Sequence, residues 1–268
     1  MKTSVIISFY QKIEYLKLVL AGLERQSEKD FEIIIADDGS YEDIINQIEE
    51  LSKDVSFKVI HVWQEDKGFR KNKILNQAII SSNSDYLIFV DGDCVPHSKF
   101  VEEHLAAKNN NICLTGRRVN LSQKITSKLN EEKVLNGYLE KNLFSLIIDG
   151  LFGQSNYVEK GFYTKNKFLR NTFNKKQRGL LGCNFSLFKK DLLSINGFDE
   201  RYEAPSIGED SDIQYRLELN GVKIESLNNI AVQYHLYHKL QTRLQKNIDL
   251  FNNIKKQNIA FSPFGIKK

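Results

Sequence analysis

Tyr86-Leu87-Ile88-Phe89-Val90 is an unbroken apolar run that stops at Asp91-Gly92-Asp93. A run this short, rich in aromatic and β-branched side chains, predicts a strand covered on both faces. Such a strand belongs to the middle of a layered α/β sheet. Its carboxyl end then delivers Asp91 and Asp93 to the edge where these sheets bind ligands. Gly92 permits a tight bend and a close approach of ligand to backbone. Two carboxylates on one short loop suit Mg²⁺ or Mn²⁺, whose other positions go to water and substrate phosphates. By itself Asp-Gly-Asp reads equally well as a solvated turn. The metal reading needs the rest of the chain to bind a phosphate-bearing ligand.

The segments before this run alternate in period. Residues 3–8, 31–36 and 57–62 read as strands, and residues 12–26, 41–51 and 68–81 as helices. Ile13, Leu16, Leu20 and Leu23 mark the apolar face of the first helix. Strands alternating with helices predict βαβ units and a mainly parallel sheet. Ser8 and Tyr10, Asp37 and Asp38, and Asp91 and Asp93 then all converge on one carboxyl edge. Neither a Gly-rich dinucleotide fingerprint nor a P-loop follows the first strand, so a metal is the natural phosphate holder. Arg70 and Lys73 open the third helix as cations within reach of a diphosphate, or as a solvated helix face.

Composition narrows the classes. The 268 residues are 41% hydrophobic with 17 Phe and 11 Tyr, enough for a large core. Net charge is +4 from 38 basic and 34 acidic residues, too balanced to argue for nucleic acid. Three scattered cysteines fit neither a disulfide framework nor a zinc site and point to a reducing compartment. No signal-peptide layout opens the chain, and no apolar run reaches the ~20 residues of a membrane span.

Residues 120–178 break the rhythm. Val134, Leu135, Tyr138, Leu139, Leu143 and Leu146 predict one amphipathic helix over 129–148. Residues 154–178 interleave aromatic and basic side chains, including Tyr157, Lys160, Phe168, Lys175, Lys176 and Arg178. That mixture suits nucleic acid, an anionic membrane surface, a sugar acceptor, or a lid without a ligand. Balanced charge and the lack of a nucleic-acid motif favour lid or acceptor loop. Residues 183–188 read as a strand and 190–195 as a helix. Gly208-Glu209-Asp210-Ser211-Asp212 opens another helix, where acids complement the helix dipole. The functional alternative is a general base tuned by neighbouring carboxylates. Residues 231–238 are strand-like and end in His235 and His238, which read as metal ligands or as ordinary packing histidines. Residues 239–256 predict a polar helix, and 263–268 a frayed tail.

Taken in order, SVIISFY, ADDGS, GFRKNKILNQAI, FVDGDC, GCNFSLFKKDLLSINGFDE, GEDSDIQYRL and YHLYH resemble the family 2 glycosyltransferases. Within them, the chain looks like members with a galactosyltransferase-like second half, as in bacterial polysaccharide and chondroitin-type transferases. The resemblance covers residues 3–120 and 179–238. It implies the GT-A fold, an α/β architecture with a mainly parallel mixed sheet flanked by helices. It also implies an inverting enzyme that uses Mn²⁺ or Mg²⁺. By the same resemblance Asp93 is a metal ligand, joined by His235 or His238. Asp91 lies nearer the ribose or binds the metal through water, Gly92 counts among the nucleotide-sugar contacts, Asp37 and Asp38 contact base and ribose, and Ser8 and Tyr10 line the nucleobase. Arg70 and Lys73 flank the diphosphate, and Asn184 joins the donor contacts. Asp210 is the base and Glu209 a hydroxyl contact. Phe9 departs from the proline of many members.

The implied organisation is a nucleotide-sugar half (1–120), a lid or acceptor segment (121–178), an acceptor and catalytic half (179–238) and a carboxyl-terminal helix and tail (239–268). The implied partners are a nucleotide-sugar donor, first a UDP-hexose or UDP-N-acetylhexosamine, and a glycan or lipid-linked glycan acceptor. Lipopolysaccharide or capsule synthesis in the cytoplasm fits, with room for peripheral membrane contact and no role for nucleic acid. The rival readings are a sugar-phosphate nucleotidyltransferase and a non-catalytic glycan-binding protein.

Overall fold

The computed structural model describes residues 1–173, 179–204, 209–239 and 244–267, with backbone only for Phe173 and Glu209. The first part runs β1 (Thr3–Phe9), α1 (Ile13–Glu24), β2 (Phe31–Asp37), α2 (Glu42–Asp54), β3 (Val59–Trp63), α3 (Lys71–Ser81) and β4 (Tyr86–Asp91). These strands are parallel in the order β3-β2-β1-β4. Burial explains the opening apolar run. Tyr86, Ile88 and Val90 enter one apolar cluster, while Leu87 and Phe89 enter a second cluster on the opposite face. The third helix starts three residues later than its sequence pattern, because Gly68 takes a left-handed conformation (φ 81°) in the loop before it.

The chain continues through β5 (Cys94–Pro96), α4 (Phe100–Ala107), β6 (Ile112–Thr115) and β7 (Arg117–Asn120). Five short helices follow: α5 (Gln123–Thr126), α6 (Glu131–Leu135), α7 (Tyr138–Lys141), α8 (Leu143–Leu151) and α9 (Lys167–Phe173). The single helix expected over 129–148 is therefore broken. Gly137 sits at φ 73°, and a Cβ there would come within 2.6 Å of Arg25 Nη2. The Arg25 guanidinium donates to both oxygens of Glu140 at 2.9 Å. The break lets a long-range ion pair close against α1.

The last part holds β8 (Asn184–Phe188), α10 (Lys189–Ser194), α11 (Glu209–Leu219), β9 (Lys223–Ser226), β10 (Val232–His235) and α12 (Gln245–Gln257). β8 runs antiparallel to β4, and the seven-stranded order is β3-β2-β1-β4-β8-β6-β9. A three-stranded sheet, β5-β10-β7, stands beside it. The tail expected to fray is docked instead. Ile266 N–H donates to the Asn196 carbonyl at 3.0 Å, and the Asn196 amide donates to the Ser262 and Lys267 carbonyls. Of the helix expected over 239–256, residues 240–243 lie outside the described residues, Lys239 and Leu244 are not helical, and α12 begins at Gln245. Among the described residues no helix is long and apolar enough to cross a membrane.

Candidate active site

Register brings the first carboxylate into place. Ser8 on β1 pairs with Asp91 on β4, and its hydroxyl donates to Asp91 Oδ1 at 2.6 Å. The Lys71 ammonium, in the first turn of α3, lies 2.9 Å from the same oxygen. Burial favours the neutral carboxyl, but Lys71 and Ser8 outweigh it and hold Asp91 below the usual carboxylate range. Gly92 allows β1 and β4 to close up. Its N–H donates to the Ser8 carbonyl at 2.8 Å, and a Cβ would stand 3.0 Å from that oxygen.

A second sheet positions the other carboxylate. β10 runs antiparallel to β5 with His235 opposite Cys94, one residue past Asp93. Leu236 N–H donates to the Asp93 carbonyl at 2.8 Å. Asp93 Oδ2 consequently faces His238 Nε2 at 3.2 Å and His235 Nε2 at 3.6 Å, with the two imidazole nitrogens 3.1 Å apart. All three donor atoms lie within 4.8 Å of one another. Burial again favours the neutral acid, and the two imidazoles overcome it to hold Asp93 far below the usual range. Donating to Asp93 raises the proton affinity of His238. The sequence left open which histidine joins Asp93; the structure brings both.

A cavity of about 350 Å³ opens beside these groups. Ser8, Tyr10, Asp38, Asp91, Gly92, Asp93 and His238 line it, together with Lys12, Asp66, Phe69 and Lys71. Tyr10 donates to Asp66 at 3.0 Å. Asp38 accepts from Arg70 N–H at 2.7 Å and from the Gln64 amide at 2.6 Å, while burial raises its proton affinity.

Four expected contacts stand elsewhere. Asp37 is fully buried, and its oxygens are taken by Ser40 and His61, so it braces the turn after β2. Arg70 turns its guanidinium to the Glu65 carbonyl, and neither Arg70 nor Lys73 lines the cavity. Asn184 is fully buried among the Arg117 and Ala231 carbonyls and His104. The cation at Asp91 is Lys71, which the sequence reading passed over. Its signal was position, since the first helical residue after a loop points back at the strand ends.

Asp210 occupies the first turn of α11. Burial raises its proton affinity, and Lys71 and the Gly182 and Ser211 N–H groups oppose the rise. Gly182 lies just before β8, whose Asn184 pairs with Val90, so that loop meets the end of β4. Lys71 thus acts electrostatically on both Asp91 and Asp210. The Glu209 side chain lies outside the described residues, as does Gly208. Asp212 is structural: it pairs at 2.6 Å with the buried Arg216, which donates to the Ile195 and Gly197 carbonyls.

The sequence model described as glycosyl transferase family 2 matches residues 4–192. The chain belongs to that family. A second model, described as the N-terminal domain of galactosyltransferase, matches residues 165–239. Chondroitin synthase of Escherichia coli is 27% identical over 238 residues, covering 87% of this chain and 34% of that protein. Hyaluronan synthase of Pasteurella multocida is 26% identical over 247 residues, covering 87% and 24%. The chain thus spans about a third or less of these relatives' length. Among solved structures, S. aureus TarS 1-349 in complex with UDP-GlcNAc superposes with a TM-score of 0.58 at 16% identity, covering 96% of this chain and 65% of that one. Mannosyltransferase PcManGT from Pyrobaculum calidifontis, in complex with GDP-Man and Mn²⁺, gives 0.54 at 12% identity, covering 89% and 57%. The fold is GT-A.

Proposed function

We propose that this family 2 glycosyltransferase moves a hexose or N-acetylhexosamine from a UDP-sugar to a glycan acceptor, with inversion and with a divalent metal. The observation that carries the reading is the convergence of Asp93, His235 and His238, of which Asp93 and His238 line the cavity. One carboxylate with two imidazoles fits Mn²⁺ better than Mg²⁺, which prefers an all-oxygen shell. Such an ion would supply Lewis-acid stabilisation of the charge on the departing diphosphate.

The chain's own residues supply the rest. Tyr10, Asp38 and Asp66 line the part of the cavity that would take the nucleoside. Lys71 adds a fixed positive charge between Asp91 and Asp210. Asp210 accepts the proton of the acceptor hydroxyl as that oxygen attacks the anomeric carbon, and its raised proton affinity suits base work. One in-line displacement inverts the sugar. UDP is favoured because TarS was solved in complex with UDP-GlcNAc. A bacterial surface polysaccharide made on a glycan or lipid-linked acceptor in the cytoplasm completes the proposal. A nucleotidyltransferase leaves Asp210 without a role, and a glycan-binding protein leaves the metal-ligand triad without one.

The test is nucleotide release from a panel of UDP-, GDP-, CMP- and dTDP-sugars with Mn²⁺. Metal-dependent release from one UDP-sugar, lost in Asp93→Ala, is expected. Pyrophosphate release from a sugar phosphate and nucleotide would contradict the reading.

A further inference from the structure

α8 turns an apolar face to solvent. Phe144, Ile148, Leu151 and the capping Phe152 are 74%, 41%, 80% and 79% exposed. Positions 144, 148, 151 and 152 share one side of a helix. Large apolar side chains exposed singly are ordinary on a protein surface, but four together on one short helix are not. On α9, Phe168 is exposed to the same degree.

The helix cannot roll this face inward, because its other side is already committed. Leu146 belongs to the core. Asp149 is buried and accepts from the Ser155 hydroxyl, whose oxygen accepts from Ser122 N–H at 3.0 Å. A Cβ on Gly150 would stand 2.7 Å from Val158, so α8 lies close against the 3-10 turn whose Lys160 lines a second cavity, beside β7. The nine residues of α8 span about 14 Å, too short to cross the ~30 Å core of a bilayer and long enough to lie in its surface. The exposed charges nearby have one sign. Over residues 141–172 the exposed charged side chains are Lys141, Lys165 and Lys167, while Asp149 is buried and Glu159 partly so. Lys141 comes three residues before Phe144, and Lys167 directly precedes Phe168. A Cβ at Gly161 would stand 3.6 Å from Leu143, so the chain that carries Lys165 and Lys167 leaves from the start of α8. Lys165 pairs with Glu103 at 2.8 Å.

We propose that α8 docks the protein on an anionic lipid bilayer, with Phe144, Ile148, Leu151 and Phe152 entering the acyl region and Lys141 and Lys167 meeting the headgroup phosphates. A lipid surface fits better than a second copy of the chain. The apolar side chains stand out from the surface, and a two-fold contact would bring the same lysines of both copies to one rim. The docking needs neither nucleotide nor metal, and it stands apart from the transferase reading.

Sedimentation of the full chain with vesicles tests it, one set of phosphatidylcholine alone and one of equal parts phosphatidylcholine and phosphatidylglycerol. Binding to the anionic set should be roughly tenfold or more tighter at low salt, and should weaken as salt rises. Replacing Leu151 and Phe152 together (Leu151→Ser, Phe152→Ser) should lower it by about tenfold or more. Lys141→Gln and Lys167→Gln should each lower it roughly fivefold. Ile80→Ser should change nothing: that residue is exposed on α3, whose buried side chains pack in the other core cluster. All these positions are exposed, and denaturant midpoints check that the variants fold. No sedimentation with anionic vesicles, equal affinity for the two sets, or an equal loss in Ile80→Ser would overturn the proposal. A dimer in solution that the Leu151 and Phe152 replacements dissolve, with no vesicle binding, would assign the face to a second copy instead.

Discussion

The cavity at the ends of β1 and β4 and the cavity beside β7 are built in opposite ways. The first comes from consecutive βα units, where a parallel register carries Ser8, Asp91 and Gly92 to one place. The wall of the cavity lined by Arg117 and Lys160 is assembled from β7, a short 3-10 turn (Val158–Gly161) with Tyr157 before it, and the loop before β8. At the first cavity, Asp91 and Asp93 are held charged by fixed partners. At the second cavity, Arg117 and Lys160 are buried and Arg118 is partly buried. A repeating fold can supply a nucleotide site from its own regularity, but a partner-specific site has to be built from segments that break the repeat.

The comparison breaks first at Asp93. Asp93→Ala should reduce metal-dependent nucleotide release by about 10³-fold or more, with a loss of donor affinity. Asp210→Asn should lower turnover by roughly 10²–10⁴-fold while UDP affinity in calorimetry stays intact. Near-normal turnover in Asp210→Asn would remove it from the base role.

Lys71 sharpens the comparison because it acts on both Asp91 and Asp210. Asp210 must be ionised to act, and burial raises its proton affinity, so activity should fall on acidification at a pH above the ordinary carboxylate value of about 4. Lys71 opposes that rise. Lys71→Met should therefore move the acid limb of the turnover profile to higher pH; an unmoved limb separates Lys71 from the base.

The junction beneath the two regions gives a smaller, structural effect. His104 is fully buried, bonds Ser186 and Asn184, and is pushed down to about 3 by burial. Its unfolded value is near 6.5, so between those values only the unfolded state binds the extra proton. Stability should fall as pH drops below 6.5, by at most about 1.4 kcal/mol per pH unit. Denaturant midpoints at pH 7 and 5 should converge in His104→Gln. Smallest is Gly137→Ala, whose left-handed backbone and contact with Arg25 predict a loss of roughly 1–2 kcal/mol in unfolding experiments.

Legibility followed the same divide. β1, β2 and β4 were readable because strands covered on both faces leave continuous apolar runs. β5, β6 and β7 have three or four residues each, too few for a period to register. Yet β5 and β7 flank β10 and set the register that carries His235 to Asp93. Side-chain direction was harder to read than element type. Asp37 and Asp38 are adjacent, and one braces its turn while the other lines the cavity. Arg70, Lys71 and Lys73 share one short stretch, and only Lys71 reaches Asp91. Asn184 looked like a polar contact and serves as internal bonding under the sheet junction. The helix break at Gly137 depends on Arg25, more than a hundred residues away, which no local pattern reports.

The most direct test of the central claim is titration of UDP into the protein with and without Mn²⁺. The account predicts binding that is strongly Mn²⁺-dependent, abolished in Asp93→Ala and weakened when both His235 and His238 are replaced by alanine. Equal UDP affinity in the absence of the metal, or unchanged Mn²⁺-dependent binding in Asp93→Ala, would contradict it.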